Sequence, residues 1–296
     1  MCRDLGISRA SYYRHLAEKE PDEEEMLVRD AIQRVALSNH RRLGIRRVTK
    51  ILRTKEGMIV NHKRVERIMR DDNLLAIRRR KFVLTTDSNH DLEVHVNMAR
   101  RMKVTGINQL WVTDITYIRL RSEFVYLAVV MDRFSRKVIG WALGPNLTAE
   151  LAVKALQMAI EQRQPPPGVV IHSDRGIQYA SAEFVAVLLA HGMIPSMSRP
   201  GNPYDNAFCE SFMKTLKTEE IYCNEYKDAA DLRAHLEEFI EGYYNKHRLH
   251  SGIGYLSPEE FESALAAEER RKLTATMPYY RPPKSTKGGS SEIPSS

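Results

Sequence analysis

The sequence predicts an α/β fold: a mixed five-stranded sheet with flanking helices, preceded by a helical domain that contains a helix-turn-helix. Three observations carry this reading. The charge is uneven, with 22 Lys+Arg against 15 Asp+Glu in residues 1–100 and 23 of each in the remainder. The apolar period changes near Gln109 from a helical stripe to β-branched and aromatic runs. Beyond that point the elements follow the order β-β-β-α-β-α-β-α.

The helical part is read first. Residues 41–81 hold 15 basic and 4 acidic side chains, a concentrated excess that suits a polyanion partner. Ile45, Val48, Ile51 and Leu52 lie at helical spacing, and Gly57 can end that helix. Asn61 can cap a second helix, whose inward stripe is Val65, Ile68 and Met69. That helix carries Lys63, Arg64, Arg67 and Arg70, and the run Arg78-Arg79-Arg80 follows. These seven cations are the candidate DNA contacts of residues 25–81, set against the plainer reading of a solvated helical pair. Residues 1–20 resemble the turn and second helix of another helix-turn-helix, with Ser8 as cap. Residues 82–105 read as a linker and residues 276–296 as a disordered tail.

The sheet part occupies residues 106–265. Leu110–Leu120, Phe124–Met131 and Val138–Leu143 read as a three-strand meander. A helix over Thr148–Gln162 follows, then a strand at Val169–His172, a helix at Ala182–His191, a strand at Ile194–Met197 and a long helix over Asn206–Glu219. A further amphipathic helix covers residues 228–245. This order is ribonuclease H-like.

Composition narrows the class. No apolar run reaches the roughly 18 residues of a membrane span, and Met1-Cys2-Arg3-Asp4 opens no apolar leader, so a cytoplasmic location is expected. Cys2, Cys209 and Cys223 suit neither a disulfide framework nor a zinc ribbon.

Three carboxylates fall at telling places. Asp114 sits among apolar residues inside the first strand, where a charge is costly without a partner. Asp174 follows the fourth strand, which neighbours the first in this topology. Glu210 lies early in the long helix. Hard divalent cations take oxygen ligands, and two Mg²⁺ ions can serve an in-line phosphodiester displacement. Asp114 is best placed to bridge both ions, with Asp174 and Glu210 each completing one; Mn²⁺ can substitute. Singly, each acid also has a plain reading: a buried ion pair for Asp114, a turn for Asp174, a helix N-terminal charge for Glu210. Asp132 reads as a turn residue, Asp205 as a loop cap, and His172 equally as packing or site support. Asn202, Tyr204 and Asn206 are candidates for a DNA channel. His247 and His250 have no further ligand to complete a metal site.

The strings WVTDITYI at Trp111–Ile118, DRFSRKVIGW at Asp132–Trp141, HSDRGIQY at His172–Tyr179, SMSRPGNPYDNA at Ser196–Ala207 and YNKHRLH at Tyr244–His250 resemble the orfB-type transposases of the IS-three insertion-sequence family. Those enzymes belong to the DDE transposase and retroviral integrase superfamily. Between Asp174 and Glu210 stand 35 residues, a spacing typical of that group. The resemblance covers residues 5–262. It implies metal-dependent cleavage at the element's ends and direct attack of a 3′-hydroxyl on another strand. It gives Lys217 as a contact to the element's end; Lys214, on a nearby helical face, is a further candidate for phosphate contact, set against a solvated lysine. It also implies a homo-oligomer on DNA, a nucleoid location, and a separate upstream-frame (orfA-type) polypeptide as partner. A nuclease of the same fold and a non-catalytic repressor are the alternatives.

Overall fold

The computed structural model describes residue 8 and residues 23–76, 95–121, 123–198 and 206–276. The first-helix-turn-helix reading apart from Ser8, the run Arg78-Arg79-Arg80, most of the linker, Asn202, Tyr204, Asp205 and the tail lie outside the described residues.

Three helices open the chain: α1 (Glu23–Ser38), α2 (Ile45–Thr54) and α3 (His62–Asp71). Gly57 takes φ 68° behind α2, and Asn61 accepts the Lys63 amide at 2.9 Å to cap α3. Their apolar stripes meet in one core of Ile32, Val48, Leu52, Val65, Ile68 and Met69, all fully buried. α1 buries Val28, Ala31, Ile32 and Val35, which recur at helical spacing.

The sheet is formed by β1 (Leu110–Arg119), β2 (Phe124–Asp132), β3 (Val138–Gly144), β4 (Val170–Ser173) and β5 (Ile194–Met197), in the order β3-β2-β1-β4-β5. The β1–β2 and β2–β3 pairs are antiparallel, whereas β1–β4 and β4–β5 are parallel. Side chains alternate between faces. Val112, Leu127, Val129 and Val138 face one core with α7 (Ala207–Leu216) and α8 (Ala229–Glu237). Trp111, Ala128, Val130 and Ile139 face the other, with α4 (Ala149–Arg163), α5 (Ile177–Ala180) and α6 (Ala182–Ala190).

β3 meets α4 at Gly140, where an added Cβ would stand 2.2 Å from the Ala155 carbonyl oxygen and 2.7 Å from the Ala159 amide nitrogen. Backbone cannot yield as a side-chain tip would. Gly140→Ala is therefore expected to destabilise the fold by about 1–3 kcal/mol, the usual cost of overpacking. Urea unfolding measures it, and an unchanged midpoint would refute the close approach.

Two helices end differently from the sequence reading. α7 turns π-helical over Lys217–Ile221, and α8 does the same over Glu238–Tyr244. The first π segment directs Glu219 and Glu220 at the N-terminal helices. Arg42 donates to the Glu220 carboxylate at 2.5 Å and to the Glu219 carbonyl at 2.9 Å, and Arg47 reaches Glu219 at 3.1 Å. A final helix, α9 (Pro258–Thr276), escaped the sequence reading. Its signal was a capping box: the Ser257 hydroxyl accepts from the Glu260 amide, and the Glu260 carboxylate accepts from the Ser257 amide. No helix among the described residues is long and apolar enough to cross a membrane.

Candidate active site

Asp114 stands mid-strand, opposite Val129 of β2. Two-residue alternation puts it on the Val112 face, toward α7. Asp174 lies one residue beyond β4, and the parallel register of Val112 with His172 brings the two aspartates to one sheet end. Both line a pocket with Thr116, Tyr126, Gln178 and Tyr179. Glu210, in the first turn of α7, is exposed and lines no part of that pocket. Asn206 anchors the start of α7 to this end of the sheet. Its Nδ2 donates to the Thr113 carbonyl at 3.2 Å, while its buried Oδ1 has no hydrogen-bond partner among the described residues.

The electrostatics are those of crowded acids. Burial, and then the Asp174 charge, push Asp114 up to about 8. The Ile115 amide, 2.9 Å from Oδ1, pulls the other way, Glu210 adds to the rise, and Lys217 offsets part of it. Burial also raises Glu210. Lys217 is lowered by burial and raised by Asp114; its ammonium lies 4.9 Å from the centre of the Tyr117 ring. Lys217 thus belongs to the same local field as the aspartates. Among the described residues no three His, Cys, Asp or Glu side chains are grouped closely enough to hold an ion as they lie.

Two neighbours went unnoticed in the sequence. The Tyr179 hydroxyl pairs with the Thr113 hydroxyl at 3.2 Å, and Cys209 is buried; both titrate upward through burial and then the Asp114 charge. Nothing local marks them, because their contacts cross many residues of sequence.

The other candidates sort by their partners. Asp132 is a turn residue: Oδ1 accepts from the amides of Phe134 and Ser135, and Oδ2 accepts from that of Asn108. His172 is buried between β4 and β5, with Nδ1 2.9 Å from the Ser196 hydroxyl and Nε2 3.1 Å from that of Ser198. His250 packs against Arg248, and burial followed by the charges of Arg248, Arg47 and Arg136 pushes it down to about 2. On α3, Arg64 pairs with Glu24 and Glu25, Arg67 with Glu25 and Asp71, and Arg70 with Glu66. The basic excess counted over residues 41–81 is therefore partly met by acids of α1. Such exposed pairs are worth about 0–1 kcal/mol, so a polyanion can displace them. Lys63 is exposed on the same helix, and Lys214 lies exposed on α7.

Two family models described as integrase core domain match residues 105–203 and 191–258, and one described as HTH-like domain matches residues 21–82. Over 268 residues the chain is 39% identical to transposase InsF for insertion sequence IS3A of Escherichia coli (strain K12), covering 89% of this chain and 93% of that protein. It is 36% identical over 264 residues to the insertion element IS600 uncharacterized 31 kDa protein of Shigella sonnei, covering 88% and 97%. A chain of the simian T-cell lymphotropic virus intasome, solved in complex with PP2A regulatory subunit B56 gamma, aligns over 84% of this chain and 77% of its own, at 18% identity and a TM-score of 0.45.

Proposed function

Since the chain belongs to the IS3-family insertion-sequence transposases, enzymes of DNA transposition with an integrase core, we propose that Asp114, Asp174 and Glu210 are its catalytic metal ligands. The observation that carries this reading is the convergence of Asp114 and Asp174 on one pocket, where burial first, and then the charges of Asp174 and Glu210, push Asp114 up to about 8. A bound cation relieves that repulsion, and an all-carboxylate donor set suits a hard divalent ion. Two Mg²⁺ ions, or Mn²⁺ in their place, would activate the attacking oxygen and stabilise the leaving one.

The protein's own part is placement. Asp114 is rigid in a central strand, Asp174 is held by its turn, where Oδ1 accepts from the Gly176 amide at 2.9 Å, and Glu210 rides on a helix tied to β1 through Asn206. Glu210 has no hydrogen-bond or ion-pair partner among the described residues, so turning toward the aspartates breaks no such contact. Lys217 would contact a backbone phosphate of the element's end, and Lys63, Arg64, Arg67 and Arg70 would hold DNA on the helical domain. Arg78, Arg79 and Arg80, which follow in the sequence, are further candidates for DNA contact.

The reaction is a pair of displacements. Water first breaks a P–O bond at the element's end and frees a 3′-hydroxyl. That oxygen then forms a bond to a target phosphorus as the target's own P–O3′ bond breaks. Two ends must be brought together, which calls for a homo-oligomer on DNA. We place the chain at the bacterial nucleoid, with an upstream-frame polypeptide as partner.

A joining assay tests this, with labelled element-end DNA, target DNA and Mg²⁺, run with and without the upstream-frame polypeptide. Joined product that vanishes with EDTA is expected. Cleavage without joining in both arms would replace the reading with a nuclease.

A further inference from the structure

We propose that a second, basic cleft beside α7, between the helical domain and the sheet domain, seats backbone phosphates of duplex DNA. Its walls include Arg47 from α2 and Arg136, Lys214 and Arg248 from the sheet domain. The proposal rests on the transposase reading only in taking DNA as the ligand; the cleft itself is separate from the acidic pocket.

Helix geometry links the two. At 3.6 residues per turn, Glu210 and Lys217 share one face of the helix. Ser211, Lys214, Thr215 and Thr218, which line the cleft, lie about a quarter turn around it. A duplex engaged at the acidic pocket therefore meets this cleft next.

The chemistry of the walls is one-sided. Among the described residues no carboxylate lines the cleft. Arg47 and Arg248 are partly neutralised from behind by Glu219, whereas Arg136 and Lys214 have no carboxylate partner among the described residues. Hydroxyls of Ser211, Thr215 and Thr218 add neutral donors of the kind that meet phosphate oxygens. His250, also in the wall, is kept neutral by burial and the surrounding guanidinium charges.

Arg136 is held in position. Its guanidinium lies 5.1 Å from the centre of the Phe208 ring and rests on Gly252, where a Cβ would stand 2.3 Å from Nη2. A cation fixed in this way loses little side-chain freedom on binding. Past Arg136 and Phe208 the cleft continues into a groove with Lys103 and Arg133, and the Arg133 guanidinium lies 5.0 Å from the same ring. A single small anion has no use for such a track, whereas a chain of phosphates does.

The test measures binding of the full chain to labelled duplexes in EDTA over a range of salt, so that failure of the metal site cannot mask the result. One duplex carries the terminal sequence of the element encoding this chain, the other an unrelated sequence. Arg136→Ala and Lys214→Ala are each expected to weaken binding about three- to tenfold at moderate salt and to make the salt slope shallower by about 1. Lys214→Arg should retain both, and Gly252→Ala, which displaces the Arg136 guanidinium, should act like Arg136→Ala. Loss on both duplexes assigns the cleft to backbone held wherever DNA lies, and loss on the element-end duplex alone assigns it to the element's terminus. Unchanged affinity and slope on both duplexes, in single and double variants that melt like the parent, would overturn the proposal. Binding in EDTA is read without turnover, so a failed catalytic reading leaves this result standing.

Discussion

Asp114→Asn is expected to abolish cleavage and joining while leaving DNA binding intact. The amide keeps the shape of the carboxylate but removes the negative charge that would hold a cation at the centre of β1. A metal acting as Lewis acid contributes several kcal/mol, and about 4 kcal/mol corresponds to roughly a thousandfold in rate. Single-turnover joining should therefore fall by at least about that factor. Asp174→Asn and Glu210→Gln should do the same. The same substitution should raise stability without metal. The folded-state value of Asp114, about 8, lies above the ordinary 3.8. A raised carboxyl contributes stability that is fully present below about 4 and is lost as pH rises through about 8. In EDTA at neutral pH the parent bears that loss and the variant does not. Because Asp114 opens onto the pocket, solvent screens the difference to about 1 kcal/mol, or about 2–4 °C in melting temperature. Normal joining by Asp114→Asn would remove it from the catalytic set, and a lower melting temperature in EDTA would refute the repulsion that motivates the metal site.

Glu219→Ala is expected to cost about 3–5 kcal/mol of stability, the usual penalty for stripping a buried cation of its partner. Glu219 accepts from Arg248 through Nε at 2.9 Å and Nη2 at 2.8 Å, and the Arg248 side chain is only 6% exposed. Arg47 pairs with the same carboxylate, and the Tyr243 hydroxyl donates to it at 3.3 Å. Deleting the carboxylate strands two guanidiniums, one of them from the helical domain. Burial alone would raise Glu219, but the hydrogen bonds and charge of Arg248, with the charge of Arg47, hold it below its ordinary 4.5. A depressed carboxylate contributes stability above 4.5 that is lost as pH falls through the lowered value. The parent should therefore weaken below about pH 4.5 more steeply than Glu219→Ala. Urea unfolding at pH 7 and at pH 4 reads both effects. A variant as stable as the parent at pH 7 would mean that the two arginines find solvent or other acceptors.

The architecture was legible because its signals are local and periodic. The β-branched runs of β1, β2 and β3, the stripe of α4 and the Asn61 cap each declare themselves within a dozen residues. Strand order then followed from topology, and with it the expectation that Asp114 and Asp174 meet at one sheet end, as they do. The exceptions have physical causes. α9 was missed although a capping box opens it at Ser257 and Glu260. The π-helical ends of α7 and α8 could not be read, because the repeat in those segments departs from the ordinary helical one only when tertiary packing demands it.

By itself the sequence determined the kind of molecule: a basic helical module ahead of a mixed sheet, with three acids at positions that suit hard cations. The tertiary structure decided where the basic charge goes. Arg64, Arg67 and Arg70 turn to acids of α1 and α3, and Arg42 and Arg47 bind Glu220 and Glu219 of the π-helical segment after α7, while Arg136 and Lys214 gather in a cleft from distant segments. Counting charge along a chain cannot separate these fates, because the field a guanidinium feels depends on groups within a few ångströms in space, wherever they fall in sequence.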